Sequence, residues 1–264
     1  KDIVKLATMF LLRGTTVAKL PYGKVYDVRG KNRRLGLGLM GLHEWLIKKG
    51  AKYEVTPELH RWLSIYKSVS DDTSARYADT LNISRPVANR AIAPTGSIGI
   101  LAGTTTGIEP LFATAYKRRF LRNKRWHYQY VVDSVTQEMV DEYGTDPDSL
   151  DTALDLATQY KRRIKFQADI QDYVDMSISS TINLPKWGSE NNNEDNVEEF
   201  TDVLASYAHR LRGFTCYPSE SRGGQPLVAV SYKEALDKLG EEYEEAIETS
   251  DICDITGRGG SCGT

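Results

Sequence analysis

The stretch APTGSIGILAGTTTGIEP, residues 93–110, limits the fold more than any other part of the chain. Four glycines (96, 99, 103 and 107), five hydroxyl side chains and two prolines fall within eighteen residues. Glycine loses more backbone freedom than other residues when ordered, and proline removes a hydrogen-bond donor. No single helix or strand therefore runs through this stretch, and regular elements must end before it and restart after it.

Around it, helix-period and strand-like segments alternate. KDIVKLATMFLLRG opens the chain as an amphipathic helix with Ile3, Leu6, Ala7 and Phe10 on one face. RRLGLGLMGLHEWLIKKG (33–50) reads as a strand followed by a helix stopped at Gly50. Residues 57–81 start with Pro57 and carry Leu59, Trp62, Leu63, Tyr66 and Val69 at three- and four-residue steps, which predicts a long helix. VANRAIA (87–93) is short and apolar at its end. LFATAYKRRFL (111–121) predicts a strand, followed by a helix from about Tyr128 to Glu142. A further helix is expected over about 166–175, a strand over SISSTINLP (177–185), a solvated loop over GSENNNEDN (188–196), and an amphipathic helix over 197–213 closed by Gly213. Strands alternating with helices predict a parallel α/β arrangement with function at loops after strand C-termini.

The 264 residues are 40% hydrophobic and 27% charged, a globular composition. Against 34 basic residues stand 36 acidic ones, so the net charge is −2 and no broad field for a polyanion exists. Nucleic acid is not an expected partner, and phosphate recognition has to be local. Three cysteines without framework spacing, together with the lack of an apolar leader or a long apolar span, predict a reducing cytoplasm and no membrane. The chain opens at Lys1 inside a helical pattern, as expected of a piece of a longer protein.

In 93–110 the glycines let backbone approach closely, and Thr95 and Ser97 place hydroxyls ahead of a short helix. Such a loop can aim several N–H groups at a phosphate or diphosphate. The same composition also suits a tight structural turn. It is neither a Walker loop, since the Lys is missing, nor a dinucleotide fingerprint, since the glycine spacing differs.

The ordered set RRLGLGLMGL, APTGSIGILAGTTTGIEP, SISSTINLP and FTCYPSESRGGQPL resembles the C-terminal half of the catalytic subunit of ribonucleotide reductases, over about residues 1–230. The resemblance implies an α/β fold, the C-terminal half of a ten-stranded α/β barrel built from two parallel five-stranded halves. It also implies a radical reaction that replaces the ribose 2′-hydroxyl by hydrogen. Residues 1–230 would be the half-barrel and 231–264 a helix and a flexible cysteine-bearing tail. Pro94, Thr95, Gly96, Ser97 and Ile98 match the family's substrate phosphate loop, which suits a diphosphate or a triphosphate. Glu109 and Pro110 match its GIEP element, read as structural support.

The family's Asn-Pro-Cys-x-Glu finger, which carries the radical cysteine, does not occur here. The resemblance therefore implies that activity needs the N-terminal half, on the same or a separate chain. Cys216 reads as an inert thiol. Cys253 and Cys262 resemble the redox pair on the family's mobile arm, recharged by thioredoxin or glutaredoxin; a zinc site and idle thiols are the alternatives. Enzymes with a separate dimetal radical subunit carry two adjacent tyrosines where this chain has Tyr217 followed by Pro218. That difference is more like the adenosylcobalamin-dependent class, with Tyr217 as a candidate radical-path residue. A class using a radical-generating subunit, or a non-catalytic nucleotide-binding fragment, is the alternative.

Overall fold

A computed structural model describes residues 1–123, 125–219 and 227–244. In chain order the elements are α1 (Asp2–Val17), α2 (Gly23–Asn32), α3 (Leu42–Lys48), α4 (Pro57–Thr80), α5 (Gly96–Ala102), β1 (Ala115–Arg122), β2 (Arg125–Val132) and α6 (Ser134–Tyr143). They continue with α7 (Tyr160–Gln171), β3 (Thr181–Leu184), α8 (Val197–Ala208), β4 (Thr215–Pro218), β5 (Leu227–Ala229), α9 (Tyr232–Asp237) and β6 (Glu242–Glu244). They divide into two compact units, one of residues 1–109, 159–182 and 198–215, the other of the described residues within 110–158, 183–197 and 216–244.

The first unit is organised by α4. Thr56 caps it, its hydroxyl accepting the Leu59 amide at 3.2 Å, and Pro57 occupies the first turn, where no N–H is needed. Its buried positions, Leu59, Leu63, Tyr66, Ser70, Ser74 and Ala78, follow the three- and four-residue steps of one helical face. The large side chains fill the N-terminal end of that face. The small ones let other chain segments approach the C-terminal end. Ala78 packs there with Leu12 and Leu35. In α1, the face of Ile3, Leu6 and Phe10 expected from the sequence is the exposed one, and Thr8 and Leu12 are buried instead.

Three extended segments lie side by side in this unit, and their bridges are parallel: Leu37 with Arg90, and Ile92 with Ile178. The Leu37 amide donates to Asn89 O at 3.0 Å and Ala91 N donates back to Leu37 O at 3.1 Å. On the other edge Ile92 N donates to Ser177 O and Ser179 N to Ile92 O. These short parallel ladders are what the described residues show of the expected parallel sheet. A Cβ on Gly38 would meet Ala91 O at 2.8 Å, so the glycine in LGLGLMG lets two backbones pass.

The second unit contains an antiparallel four-stranded sheet of order β5-β1-β2-β6. The β1/β2 register runs from Ala115 opposite Val132 to Arg122 opposite Arg125, with Asn123 at φ 51° in the tight turn. The helix expected from Tyr128 is therefore a strand as far as Val132. Asp133 then starts α6, its carboxylate accepting the Val135 and Thr136 amides. The aromatic and β-branched run 126–132 gains a full ladder with β1, and this pairing outweighs any local helical spacing. Similarly, α7 begins at Tyr160 and ends at Gln171, and α8 ends at Ala208. β3 and β4 pair in a separate two-stranded sheet.

Candidate functional site

The loop at 94–98 is shaped by one unusual residue. Thr95 sits at φ 50°, ψ 24°, in the left-handed region that a β-branched residue rarely adopts. Two bonds hold it there: its carbonyl accepts the Gly99 amide at 2.7 Å, and its hydroxyl oxygen accepts the Gly107 amide at 2.9 Å. The turn sends the chain from Pro94 directly into α5. The amides of Gly96, Ser97 and Ile98 are the first three of that helix and have no intrahelical acceptor. All three residues are exposed, as is Pro94.

The far end of α5 is closed by Gly103 at φ 64°, and Thr104 N returns to Gly99 O at 3.0 Å. Gly99 is buried where the chain folds back, and a Cβ on it would lie 2.6 Å from Thr106 Cγ2. The threonines that follow secure the fold-back to α3: Gly41 N donates to Thr105 O at 2.7 Å, Glu44 N to Thr105 Oγ1 at 3.2 Å, and Thr104 Oγ1 bonds to the Glu44 carboxylate. Hydroxyls and glycines in 93–110 thus have distinct jobs. Thr95, Thr104 and Thr105 tie the loop down, whereas Gly96 and Ser97 face outward.

Beneath the second end of the loop lies a network that the sequence did not announce. Glu109 Oε1 accepts the Thr181 amide at 2.6 Å, and its Oε2 pairs with Arg163 Nη2 at 2.6 Å. Arg163 is 3% exposed and also donates to Thr181 O at 2.6 Å and to Tyr53 Oη at 2.9 Å. Tyr53 in turn donates its hydroxyl to Ile108 O at 2.5 Å. Burial pushes the Tyr53 hydroxyl well above the ordinary tyrosine value, with Arg163 pulling the other way, so it stays a donor. Glu109 thus ties the Thr181 backbone and Arg163 together in this geometry. Pro110 is buried.

Arg163 was hidden because it belongs to the basic run YKRRIK, which reads as a solvated helix face. Its neighbour Arg162 is only half-buried while Arg163 lies in the core. Arg90 was better advertised, a lone cation in the apolar VANRAIA. It is 1% exposed and bonds Asp71 at 2.6 Å, Asp175 at 2.8 Å, Ser70 Oγ at 2.5 Å and Tyr173 O at 2.7 Å. These partners hold α4, the 88–92 segment and the turn after α7 together.

Tyr217 lies half-buried in β4, followed by Pro218. Cys216 beside it is half-buried, and burial raises its thiol above the ordinary cysteine value, which disfavours the reactive thiolate. Cys253 and Cys262 lie outside the described residues. Among the described residues no group of three or more His, Cys, Asp or Glu is placed to hold a metal ion.

The family model described as ribonucleotide reductase, barrel domain, matches residues 1–65 and 85–217. The chain belongs to the ribonucleotide reductase family. The match takes in the 94–98 loop, Glu109, Arg163 and Tyr217. A relative from Mycobacterium tuberculosis (strain CDC 1551 / Oshkosh), named vitamin B12-dependent ribonucleoside-diphosphate reductase, is 26% identical over 92% of this chain and 39% of its own length. One of the same name from Thermoplasma acidophilum is 25% identical over 98% of this chain and 39% of its own. The chain thus spans about two-fifths of the length of these reductases. A crystal structure of a B12-dependent (class II) ribonucleotide reductase superposes with a TM-score of 0.72 at 13% identity, covering 90% of this chain and 37% of that one. The alpha subunit of an Actinobacillus ureae class Id ribonucleotide reductase gives 0.60, covering 83% and 46%. These two likenesses concern the fold: the chain shares the reductase barrel-domain architecture.

Proposed function

We propose that this chain carries the substrate phosphate-binding part of a ribonucleotide reductase. The observation that carries the reading is that the family match runs unbroken from residue 85 to 217. Within it, the chain presents exposed, unbonded amides at Gly96, Ser97 and Ile98 on a rigidly tied loop. Pro94 fixes the approach of the chain, Thr95 makes the turn, and the amides of 96–98 point donors at phosphate oxygens. Glu109 and Pro110 support the floor of the same segment.

In the reaction of this family the 2′-hydroxyl leaves as water and hydrogen takes its place, while a cysteine pair gives up two electrons and becomes a disulfide. The radical cysteine and that pair belong to the N-terminal half, so this chain supplies binding and orientation. Cys253 and Cys262 are proposed to re-reduce the disulfide by thiol exchange, with thioredoxin or glutaredoxin as the external reductant. Tyr217 is kept as a radical-path candidate. The enzyme is assigned to the cytoplasm; no described helix is long and apolar enough to cross a membrane.

For the radical source we favour adenosylcobalamin over a dimetal subunit, because the relatives are named as B12-dependent and Tyr217 has no adjacent tyrosine. What that cofactor supplies when bound is the initiating radical. The amide donors at 96–98 suit an anion and not a corrin ring.

The test assays the whole polypeptide bearing this segment for reduction of ribonucleoside di- and triphosphates, with and without adenosylcobalamin. Deoxyribonucleotide formed only with the cofactor is the expected result. Equal turnover without it contradicts the cobalamin assignment, and no turnover under either condition contradicts the reductase reading. Replacing Cys253 and Cys262 by serine is expected to abolish thioredoxin-driven turnover and to spare turnover driven by a small dithiol.

A further inference from the structure

We infer that Arg163, acting through Tyr53 and Glu109, is the positioning residue of the 94–98 loop and thereby sets how tightly the substrate's phosphates are held. The inference rests on the functional reading above and adds Arg163 and Tyr53, which no motif assigns. The connection is a continuous set of hydrogen bonds within one compact unit. Arg163 donates to Tyr53 Oη at 2.9 Å and pairs with Glu109 at 2.6 Å. Tyr53 holds Ile108 O at 2.5 Å, and Glu109 holds the Thr181 amide at 2.6 Å. The segment 107–109 is thereby fixed from both sides. Gly107, in that segment, donates its amide to Thr95 Oγ1 at 2.9 Å, and Thr95 is the residue that turns the chain into the amides of 96–98.

Three features make this an arrangement for positioning rather than simple core filling. Arg163 is 3% exposed yet is aimed wholly at the loop floor and β3, with bonds to Tyr53, Glu109, Ser180 and Thr181. Thr95 is strained at φ 50°, and a strained turn keeps its shape only while its surroundings over-determine it. Gly107, at φ 51°, has Ala93 O only 3.2 Å from where a Cβ would sit, so floor and loop backbones pass closely there, and its amide bond to Thr95 Oγ1 couples the two. Loss of an anchor then disperses the directions of the 96–98 amides, and weakly aimed donors lose affinity for an anion.

The test uses the whole polypeptide and three variants: Tyr53→Phe, Arg163→Lys and Ser97→Glu. Tyr53→Phe removes a single hydroxyl and retains the ring, so it keeps the question open even if Arg163→Lys fails to fold. Readouts are KM and kcat for the ribonucleotide, inhibition by inorganic pyrophosphate, and the thermal transition. Tyr53→Phe is expected to raise KM and the pyrophosphate inhibition constant in parallel, each by about tenfold, with kcat within about twofold. A role limited to stability would lower the transition temperature and leave both constants alone, and that result overturns the inference. Ser97→Glu puts a negative charge at the mouth of the loop and reports on the underlying reading. If Ser97→Glu weakens binding while Tyr53→Phe and Arg163→Lys do not, the positioning role is wrong and the phosphate site stands. If none of the three changes KM or the pyrophosphate constant, the phosphate site itself is wrong.

Discussion

Thr95 and Gly107, twelve residues apart, are joined by a 2.9 Å hydrogen bond from the Gly107 amide to the Thr95 hydroxyl oxygen, and both residues have positive φ. The bond closes the glycine-rich segment into a single tied unit. It also explains why a threonine stands where backbone conformation alone would favour glycine or asparagine.

Replacing Thr95 by valine keeps the shape and the unfavourable φ but deletes the acceptor. Gly107 is buried, so its amide loses its partner without gaining water. The expected cost is about 1–3 kcal/mol, read as a lower urea midpoint with an unchanged slope. An unchanged midpoint would mean that the bond does not hold the loop.

Arg90→Leu should be among the most damaging single changes in the first unit. Two carboxylates, Asp71 and Asp175, would lose their cation, and Tyr173 O and Ser70 would lose a donor. Breaking a buried pair in this one-sided way costs about 3–5 kcal/mol. Because Asp71 is 44% and Asp175 28% exposed, water can partly re-solvate them, and the lower end of that range is expected. Denaturant unfolding measures it, and a loss below about 1 kcal/mol would contradict the account.

Gly38 and Gly36 offer a matched pair within the motif LGLGLMG. A methyl group on Gly38 would meet Ala91 O at 2.8 Å, whereas nothing lies within 4 Å of one on Gly36. Gly38→Ala is expected to destabilise by about 1–3 kcal/mol as the parallel segments are forced apart, and Gly36→Ala to stay within about 0.5 kcal/mol of the original. Equal effects in thermal or urea unfolding would refute the close-approach explanation.

Stability should fall at alkaline pH for an identifiable reason. Burial raises the hydroxyls of Tyr53 and Tyr66 well above the ordinary tyrosine value near about 10. A group whose native value is raised contributes its stabilisation fully below the unfolded value. Above about pH 10 the unfolded chain ionises while the native tyrosines do not, and the contribution is lost as pH climbs toward the native value. Urea midpoints from pH 8 to 12 should therefore drop, and the drop should be shallower in Tyr53→Phe and Tyr66→Phe. An equally steep drop in both variants would assign the alkaline loss to other groups.

Much of the first unit was legible because its signals are local. Pro57 and the spacing of Leu59, Leu63 and Tyr66 gave α4 almost to the residue, and the glycines of 93–110 marked a loop around a short helix. Tyr128–Val132 was misread because strand formation there depends on a partner, β1, that local periodicity cannot see. The exposed face of Ile3, Leu6 and Phe10 shows the complementary limit: amphipathic spacing gives a helix and its faces, but not which face the fold covers. The loop of the candidate site was readable from its composition. Its partners Tyr53 and Arg163 were not, since they converge on Glu109 from distant segments and only packing makes an arginine in a basic run a core residue.

The most direct test of the central claim is a crystal structure of the whole polypeptide with a ribonucleoside diphosphate bound. The account predicts phosphate oxygens within about 3 Å of the amide nitrogens of Gly96, Ser97 and Ile98, with Thr95 still bonded to Gly107. A nucleotide whose phosphates lie elsewhere, with those amides facing only water, would contradict it.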